Sequence, residues 1–113
     1  MRGGIMYNQK DIVLVPFPYS DLTNVKQRPA LIISNEKLNK TQDVICCLIT
    51  SNIPDKGILI ETRDFSSGKL PFKSWVKPQR IFTINQKIII KRICSVNDKF
   101  HKSILDEIKT ILE

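Results

Sequence analysis

The stretch D-V-I-C-C-L-I-T-S (residues 43–51) is the most hydrophobic part of the chain, and it ends in small polar side chains. Its valine and isoleucines are β-branched and favour strands. A strand that lacks polar alternation is typical of one covered on both faces. We therefore predict a central, buried strand here. Cys46 and Cys47 fit this interpretation, because free cysteines commonly pack as small hydrophobic core residues.

On both sides of this stretch, shorter apolar segments separated by turn residues predict further strands. A polar, turn-like segment is expected at residues 19–27, one helical turn within 35–42 and a loop at 63–70. Pro29 near the start of its segment indicates a strand beginning or an edge strand. The predicted strands are residues 10–17, 28–34, 57–62, 74–76 with 80–84, and 88–94.

The C-terminal part has a different periodicity. Apolar residues recur there at spacings of 3, 4 and 1 from Phe100 to Leu112, which predicts an amphipathic helix. Ser95 and Asp98 resemble a capping box at its start, and His101 is expected on its surface. The pattern predicts one domain over residues 1–113: about six strands forming a small barrel or bent sheet, followed by a helix.

Composition narrows the function. The 113 residues carry 18 Lys+Arg and 11 Asp+Glu, a net charge of +7, which favours an anionic partner such as nucleic acid. Three cysteines without metal-ligand spacing and a single histidine favour a cytoplasmic protein without a metal site or other cofactor. No apolar run reaches the roughly 20 residues of a membrane helix. The sequence lacks P-loop, dinucleotide-binding, HExxH and EF-hand motifs.

Candidate site residues fall into clusters, and each cluster has a structural alternative. Arg28 could present its planar donors to a phosphate, or be a solvated strand end. Thr50 and Ser51 could donate hydrogen bonds to phosphate oxygens, or only end a strand. Basic residues surround the only tryptophan between residues 73 and 80, which suits a nucleic-acid strand, although Trp75 could equally be core. The remaining candidates are Tyr19, Ser20, Lys73, Lys77, Gln79 and Arg80.

Four segments, in order and spacing, resemble the MazF/PemK family of toxins from type II toxin–antitoxin modules. They are D-I-V-L-V-P-F-P-Y-S-D-L (11–22), K-Q-R-P-A-L-I-I-S (26–34), V-I-C-C-L-I-T-S (44–51) and V-K-P-Q-R-I-F-T-I (76–84). The resemblance implies an SH3-like small β-barrel of the MazF/PemK (CcdB-like) type, with a C-terminal helix. It also implies a homodimer, an acidic antitoxin partner and DNA binding by the toxin–antitoxin complex.

The same resemblance implies a metal-independent, sequence-specific endoribonuclease that cuts single-stranded RNA. The family's catalytic arginine and threonine match Arg28 and Thr50. Attack by the RNA 2′-hydroxyl would give a 2′,3′-cyclic phosphate and a 5′-hydroxyl, and the sequence leaves open whether Arg28 or solvent takes the proton. Two alternatives remain: a toxin that acts by binding a protein, as gyrase poisons of this fold do, and an RNA-binding barrel without activity.

Overall fold

The computed structural model describes residues 6–18 and 25–113. Within these ranges the chain forms a seven-stranded sheet in the order β4-β6-β3-β2-β1-β7-β5. The elements are β1 (Asp11–Pro18), β2 (Val25–Ile32), α1 (Glu36–Asn39), β3 (Asp43–Thr50), β4 (Ile58–Ile60), β5 (Phe65–Ser67), β6 (Ser74–Asn85), β7 (Lys91–Val96) and α2 (Asp98–Leu112), with 3-10 turns at Thr62–Asp64 and Gln86–Ile88.

The two terminal strands of the sheet explain its closure. β4 and β5 lie at opposite ends of the sheet order, yet only residues 61–64 separate them in the chain. Five extended steps span at most about 18 Å, so the sheet must curl until its edges come close. The result is a nearly closed barrel with a C-terminal helix, which confirms the predicted fold class.

Both faces of the central strands are buried. Successive residues of a strand point to opposite faces, and here both sets are apolar. Ile12, Leu31 and Cys47 belong to a core that includes Ile104 and Ile108 of α2. Their neighbours on the other face form a second core that does not include α2. The prediction of a central strand at 43–51 is therefore confirmed, and α2 covers only one of the two faces.

The cysteines lie in these cores. Burial raises the pKa of Cys46 and of Cys47 to about 12 and that of Cys94 to about 11. A thiol with so high a pKa stays protonated and is a poor nucleophile at neutral pH. The interpretation of Cys46 and Cys47 as core residues is confirmed.

A buried carboxylate fixes the β1–β7 pairing. Asp11 is almost fully buried beside its register partner Ser95. Its Oδ1 accepts hydrogen bonds from Ser95 Oγ at 2.8 Å and Arg92 Nε at 3.0 Å. Its Oδ2 accepts one from the Asn8 backbone N–H at 2.9 Å. Three residues from two segments, Asn8 before β1 and Arg92 and Ser95 of β7, thus donate hydrogen bonds to one carboxylate, which offsets the cost of burying its charge.

Several local predictions were wrong because long-range pairing decides these segments. The loop predicted at 63–70 contains β5, a short strand held by β7 through the pairs Phe65–Val96 and Ser67–Ser95. The two strand pieces around Pro78 form the single strand β6. Part of the strand predicted at 88–94 is a 3-10 turn, and β7 begins at Lys91. Pro29 lies inside β2, a strand interior to the sheet, but the β2–β3 ladder starts only at Ala30.

The start of α2 also differs from the prediction. Ser95 belongs to β7, and Asn97 caps the helix by accepting a hydrogen bond from the Phe100 N–H at 2.8 Å. Asparagine is among the best N-cap residues because its side-chain oxygen satisfies a free helical N–H. The helix therefore begins at Asp98, three residues after Ser95.

His101 is buried rather than on the surface, because it points from the first turn of α2 toward the sheet. It is only 6% exposed, and its Nε2 has no hydrogen-bond partner among the described residues. Burial lowers the pKa of this imidazole and the nearby Lys10 charge lowers it further, while a backbone hydrogen bond to Ile33 and the Asp98 charge oppose them. The neutral form is therefore the one that packs here.

This burial predicts a pH dependence of stability. Folded His101 binds a proton more weakly than an unfolded histidine with its ordinary pKa of 6.5, so stability is lost as the pH falls below about 6.5 and is unaffected above it. Between pH 7.5 and 5.5 the free energy of unfolding should fall by up to about 1 kcal/mol more in the parent than in His101→Gln. Urea unfolding of both proteins measures this, and equal losses would contradict it. Asp98, whose pKa is lowered from 3.8 by its hydrogen bond with Lys10, titrates outside this window.

Candidate functional site

Arg28 and Thr50 lie at the same end of the β2–β3 ladder. The ladder ends with Ala30 paired to Leu48; the same antiparallel register, if it continued for two more residues, would set Arg28 opposite Thr50. Residues directly opposite each other project from the same face of a sheet. Ala30 belongs to the core on the face away from α2, so Arg28 and Thr50 are on that face.

The arrangement extends over neighbouring strands as a row of residues across the sheet. Thr50 pairs with Trp75 of β6, and Trp75 pairs with Leu59 of β4. On the other side, Arg28 pairs with Val15 of β1. We call these residues the site row: Val15, Arg28, Thr50, Trp75 and Leu59.

A break in the β3–β6 ladder lies beside the site row. Cys47 pairs with Ile81, but Ile49 pairs with Val76, so Leu48 alone faces residues 77–80. These residues form the β6 bulge. Pro78 lacks a backbone N–H and is tolerated in a sheet at such a bulge. The bulge presents Gln79 and Arg80 to solvent and leaves Lys77 half-buried.

The hydroxyl of Thr50 has one proton to donate. Thr50 is buried, and its Oγ1 accepts a hydrogen bond from the Asn52 backbone N–H at 3.1 Å. Since a hydroxyl both accepts and donates, its hydrogen can still serve a ligand oxygen. Arg28 is half-buried with its Nε shielded from solvent.

Trp75 and Lys73 lie close together toward the β4 end of the site row. The Lys73 ammonium lies 5.9 Å from the centre of the Trp75 ring, within the range of a cation–π interaction. Trp75 is half-buried and Lys73 is exposed. A half-buried indole with a cation over its ring suits a nucleotide, which brings both a base and a phosphate.

Charge is concentrated in the same part of the chain. Residues 65–97 contain seven Lys or Arg and no Asp or Glu, so this stretch alone accounts for the net charge of +7. The rest of the chain is balanced. Lys73, Lys77 and Arg80 belong to this stretch and lie on β6 or next to it. The excess positive charge therefore reaches the strand that also contributes Trp75 to the site row.

Three of the predicted site residues remain, and the site row also contains a residue that was not predicted. Ser51 is exposed immediately after Thr50. Tyr19 and Ser20 lie outside the described residues. Leu59 was missed, because its place in the row depends on β4–β6 pairing that no local motif reveals.

In residues 6–18 and 25–113, no group of three or more His, Cys, Asp or Glu side chains could hold a metal ion, and no helix is long and apolar enough to cross a bilayer.

Comparisons with known proteins agree with this architecture. The family model for PemK-like, MazF-like toxins of type II toxin–antitoxin systems matches residues 8–112. A search of curated proteins finds no match. The fold is similar to an endoribonuclease from a mycobacterial species, with a TM-score of 0.77, 17% identity and coverage of 98% of this chain and 95% of that one.

Two complexes also contain similar chains. One is an endoribonuclease with its cognate antitoxin from a mycobacterial species, with a TM-score of 0.76, 18% identity and 94% coverage of both chains. The other is a MazE–MazF structure from Deinococcus radiodurans, with a TM-score of 0.78, 14% identity and coverage of 96% of this chain and 97% of that one. At these identities the likeness concerns the fold.

Proposed function

Since the chain belongs to the PemK-like, MazF-like toxins of type II toxin–antitoxin systems, we propose that it is an endoribonuclease that cleaves single-stranded RNA. The observation that supports this proposal is that Arg28, paired with Val15, and Thr50, paired with Trp75, extend from the same end of the β2–β3 ladder, with the positively charged β6 bulge beside them. A guanidinium and a hydroxyl on one face, next to further cations, suit a phosphodiester better than a neutral ligand.

The proposed reaction uses a nucleophile that RNA itself supplies. The 2′-hydroxyl oxygen attacks the adjacent phosphorus, the bond from phosphorus to the 5′-oxygen breaks, and the products are a 2′,3′-cyclic phosphate and a 5′-hydroxyl. The 2′-proton leaves to a base and the 5′-oxygen gains a proton, so the reaction consumes no water. The enzyme must align the attack and stabilise the charge that builds on the phosphoryl oxygens.

Each residue of the pair has a distinct part in this proposal. The planar donors of Arg28 bind the non-bridging oxygens and hold the phosphate in line. Thr50 donates its remaining proton to one of these oxygens, while the Asn52 N–H fixes its oxygen from behind. Lys73, Lys77 and Arg80 bind neighbouring phosphates, Trp75 contacts a base, and Ser51 and Gln79 add hydrogen bonds. No step uses a metal ion.

Two partners follow from the proposed function. We propose that an acidic antitoxin segment competes with RNA for the same positive surface, because both are negatively charged and would bind Arg28 and the β6 bulge. We also propose that the toxin is a cytoplasmic homodimer. Two structures of similar fold are described as complexes with an antitoxin or with MazE, which supports a protein inhibitor.

The direct test is incubation of the purified protein with a long single-stranded RNA in excess EDTA. We expect discrete fragments whose 5′ ends are hydroxyls, which a kinase can label without prior phosphatase treatment. Added acidic antitoxin should suppress them. Cleavage that EDTA abolishes would contradict the metal-independent mechanism. Intact RNA together with inhibited DNA supercoiling by gyrase would contradict the nuclease and favour a toxin that binds a protein.

A further inference from the structure

A cavity of about 610 Å³ opens at the β4 end of the site row. It is formed by β4, the turn at Thr62–Asp64, β5 and the segment that leads into β6. Its volume is within the range of small-ligand sites in proteins. Its walls combine apolar and positively charged side chains, among them Leu59, Leu70, Phe72, Arg63, Lys69 and Lys73.

Two residues connect the cavity with the site row, although its apolar walls Ile60, Phe65 and Leu70 pack in or against the core on the α2 face. Leu59 lines the cavity and pairs with Trp75, which pairs with Thr50. With strands about 4.8 Å apart, the backbone of Leu59 lies roughly 10 Å from that of Thr50. Lys73 lines the cavity and also approaches the Trp75 ring at 5.9 Å. A strand of RNA bound at Thr50 would therefore reach the cavity within a few nucleotides, where it passes the edge strand β4.

Phe72 provides an exposed aromatic surface at the cavity. The side chain is 72% exposed, although a phenylalanine gains free energy when it is covered. An exposed ring offers a stacking surface that is independent of base identity. The cations on the rim are Lys69, Lys73 and Arg63, and the acid among the lining residues, Glu61, is itself 3.5 Å from Arg63.

We propose that this cavity is a base subsite of the RNA site. It takes one nucleobase of the single strand, two or three nucleotides from the scissile phosphate, with the base stacked on Phe72 and its phosphate beside Lys69 and Lys73. The proposal rests on the proposed ribonuclease function. An acidic peptide would suit the same charges, but the continuity with Thr50 and Trp75 favours the substrate strand.

The test measures how much the RNA affinity depends on the Phe72 ring and on one particular base. The probe is a fluorescent single-stranded RNA containing the mapped cleavage sequence, made resistant to cutting by one 2′-deoxy nucleotide at the scissile position. Anisotropy gives Kd for the parent, Phe72→Ala and Phe72→Trp. We expect Kd to rise about 5- to 150-fold in Phe72→Ala, the range that base–aromatic stacking provides, and to stay near the parental value in Phe72→Trp. Leu112→Ala is the matched control, because Leu112 of α2 is 74% exposed and is not among the lining residues.

An abasic scan identifies the base. Each probe of this series lacks one base at a different flanking position. At a single position, removing the base should lower the affinity of the parent but not that of Phe72→Ala, which already lacks the stacking ring. Equal losses in both proteins at every position would overturn the subsite. So would unchanged RNA affinity in Phe72→Ala combined with weaker binding of a synthetic Asp/Glu-rich peptide, which would make the cavity a peptide groove.

Failure of the subsite is separable from failure of the nuclease. Cleavage of the unmodified RNA is measured in parallel with the binding series. A parent that cuts RNA while Phe72→Ala binds every probe as tightly would overturn the subsite and leave the ribonuclease standing. A parent that neither cuts nor binds RNA would overturn both.

Discussion

Arg28→Ala is expected to lower the rate of RNA cleavage by about 10²–10³, the usual cost of removing one donor that stabilises transition-state charge. The strand should persist, because the backbone pairing of Arg28 with Val15 of β1 does not depend on the side chain. Single-turnover cleavage of one oligonucleotide measures the rate, and urea unfolding checks the fold. Arg28→Lys keeps the charge but loses the planar fork, so we expect it to recover little of the rate.

The matched control for this substitution is Lys109→Ala. It removes the same charge from the exposed surface of α2, and α2 covers the other face of the sheet. If general electrostatic attraction explained the effect, both alanine variants would lose activity equally. A folded Arg28→Ala protein that cuts RNA at the parental rate would refute the role of Arg28.

The elements predicted correctly from sequence are those whose signal is local. The β-branched run at residues 43–51 is apolar enough to require burial on both faces, and β3 is an interior strand of the observed sheet, between β6 and β2. The stripe from Phe100 to Leu112 has a helical period and a length that no strand would have, and α2 follows it. In both cases the side-chain pattern alone selects the structure.

The elements predicted wrongly are those that distant partners create. β5 has three residues, two of them serines, and exists because β7 pairs with it. Pro78 seemed to end a strand, but the bulge opposite Leu48 lets β6 run through it. His101 follows Phe100 just off the apolar stripe, and its burial depends on how α2 rests on the sheet. None of these outcomes is encoded within a ten-residue window.

For the candidate site, too, the sequence identified the residues but not their arrangement on the sheet. Residue clusters named Arg28 and Thr50 as candidates and the family resemblance assigned them catalytic roles, although they are 22 positions apart in the sequence. Their position at one end of the β2–β3 ladder follows from the register of these strands, and the addition of Trp75 follows from the register of β6. Phe72 had no sequence signal, because an isolated phenylalanine is normally a core residue. Only its 72% exposure beside a cavity distinguishes it.

A single 2′-deoxy nucleotide on the 5′ side of the scissile phosphate is expected to abolish cleavage at that bond. Without the 2′-oxygen no cyclic phosphate can form, and the enzyme has no other nucleophile in the proposed reaction. Binding should be nearly unchanged, since Arg28, Lys77 and Arg80 are proposed to contact phosphates, which the substitution leaves intact. Loss of rate at constant Kd would therefore separate the nucleophile from recognition of the substrate.

The control oligonucleotide carries the same substitution one nucleotide further toward the 3′ end, where the 2′-oxygen does not attack the scissile bond. It should be cut at a rate close to that of the all-RNA substrate. Both substrates are compared by single-turnover cleavage on denaturing gels and by anisotropy. Cutting of the first substrate at the original bond would mean that water or a protein group attacks the phosphorus. In that case Arg28 and Thr50 would have to activate that nucleophile as well as hold the phosphate, and the cyclic-phosphate mechanism would be wrong.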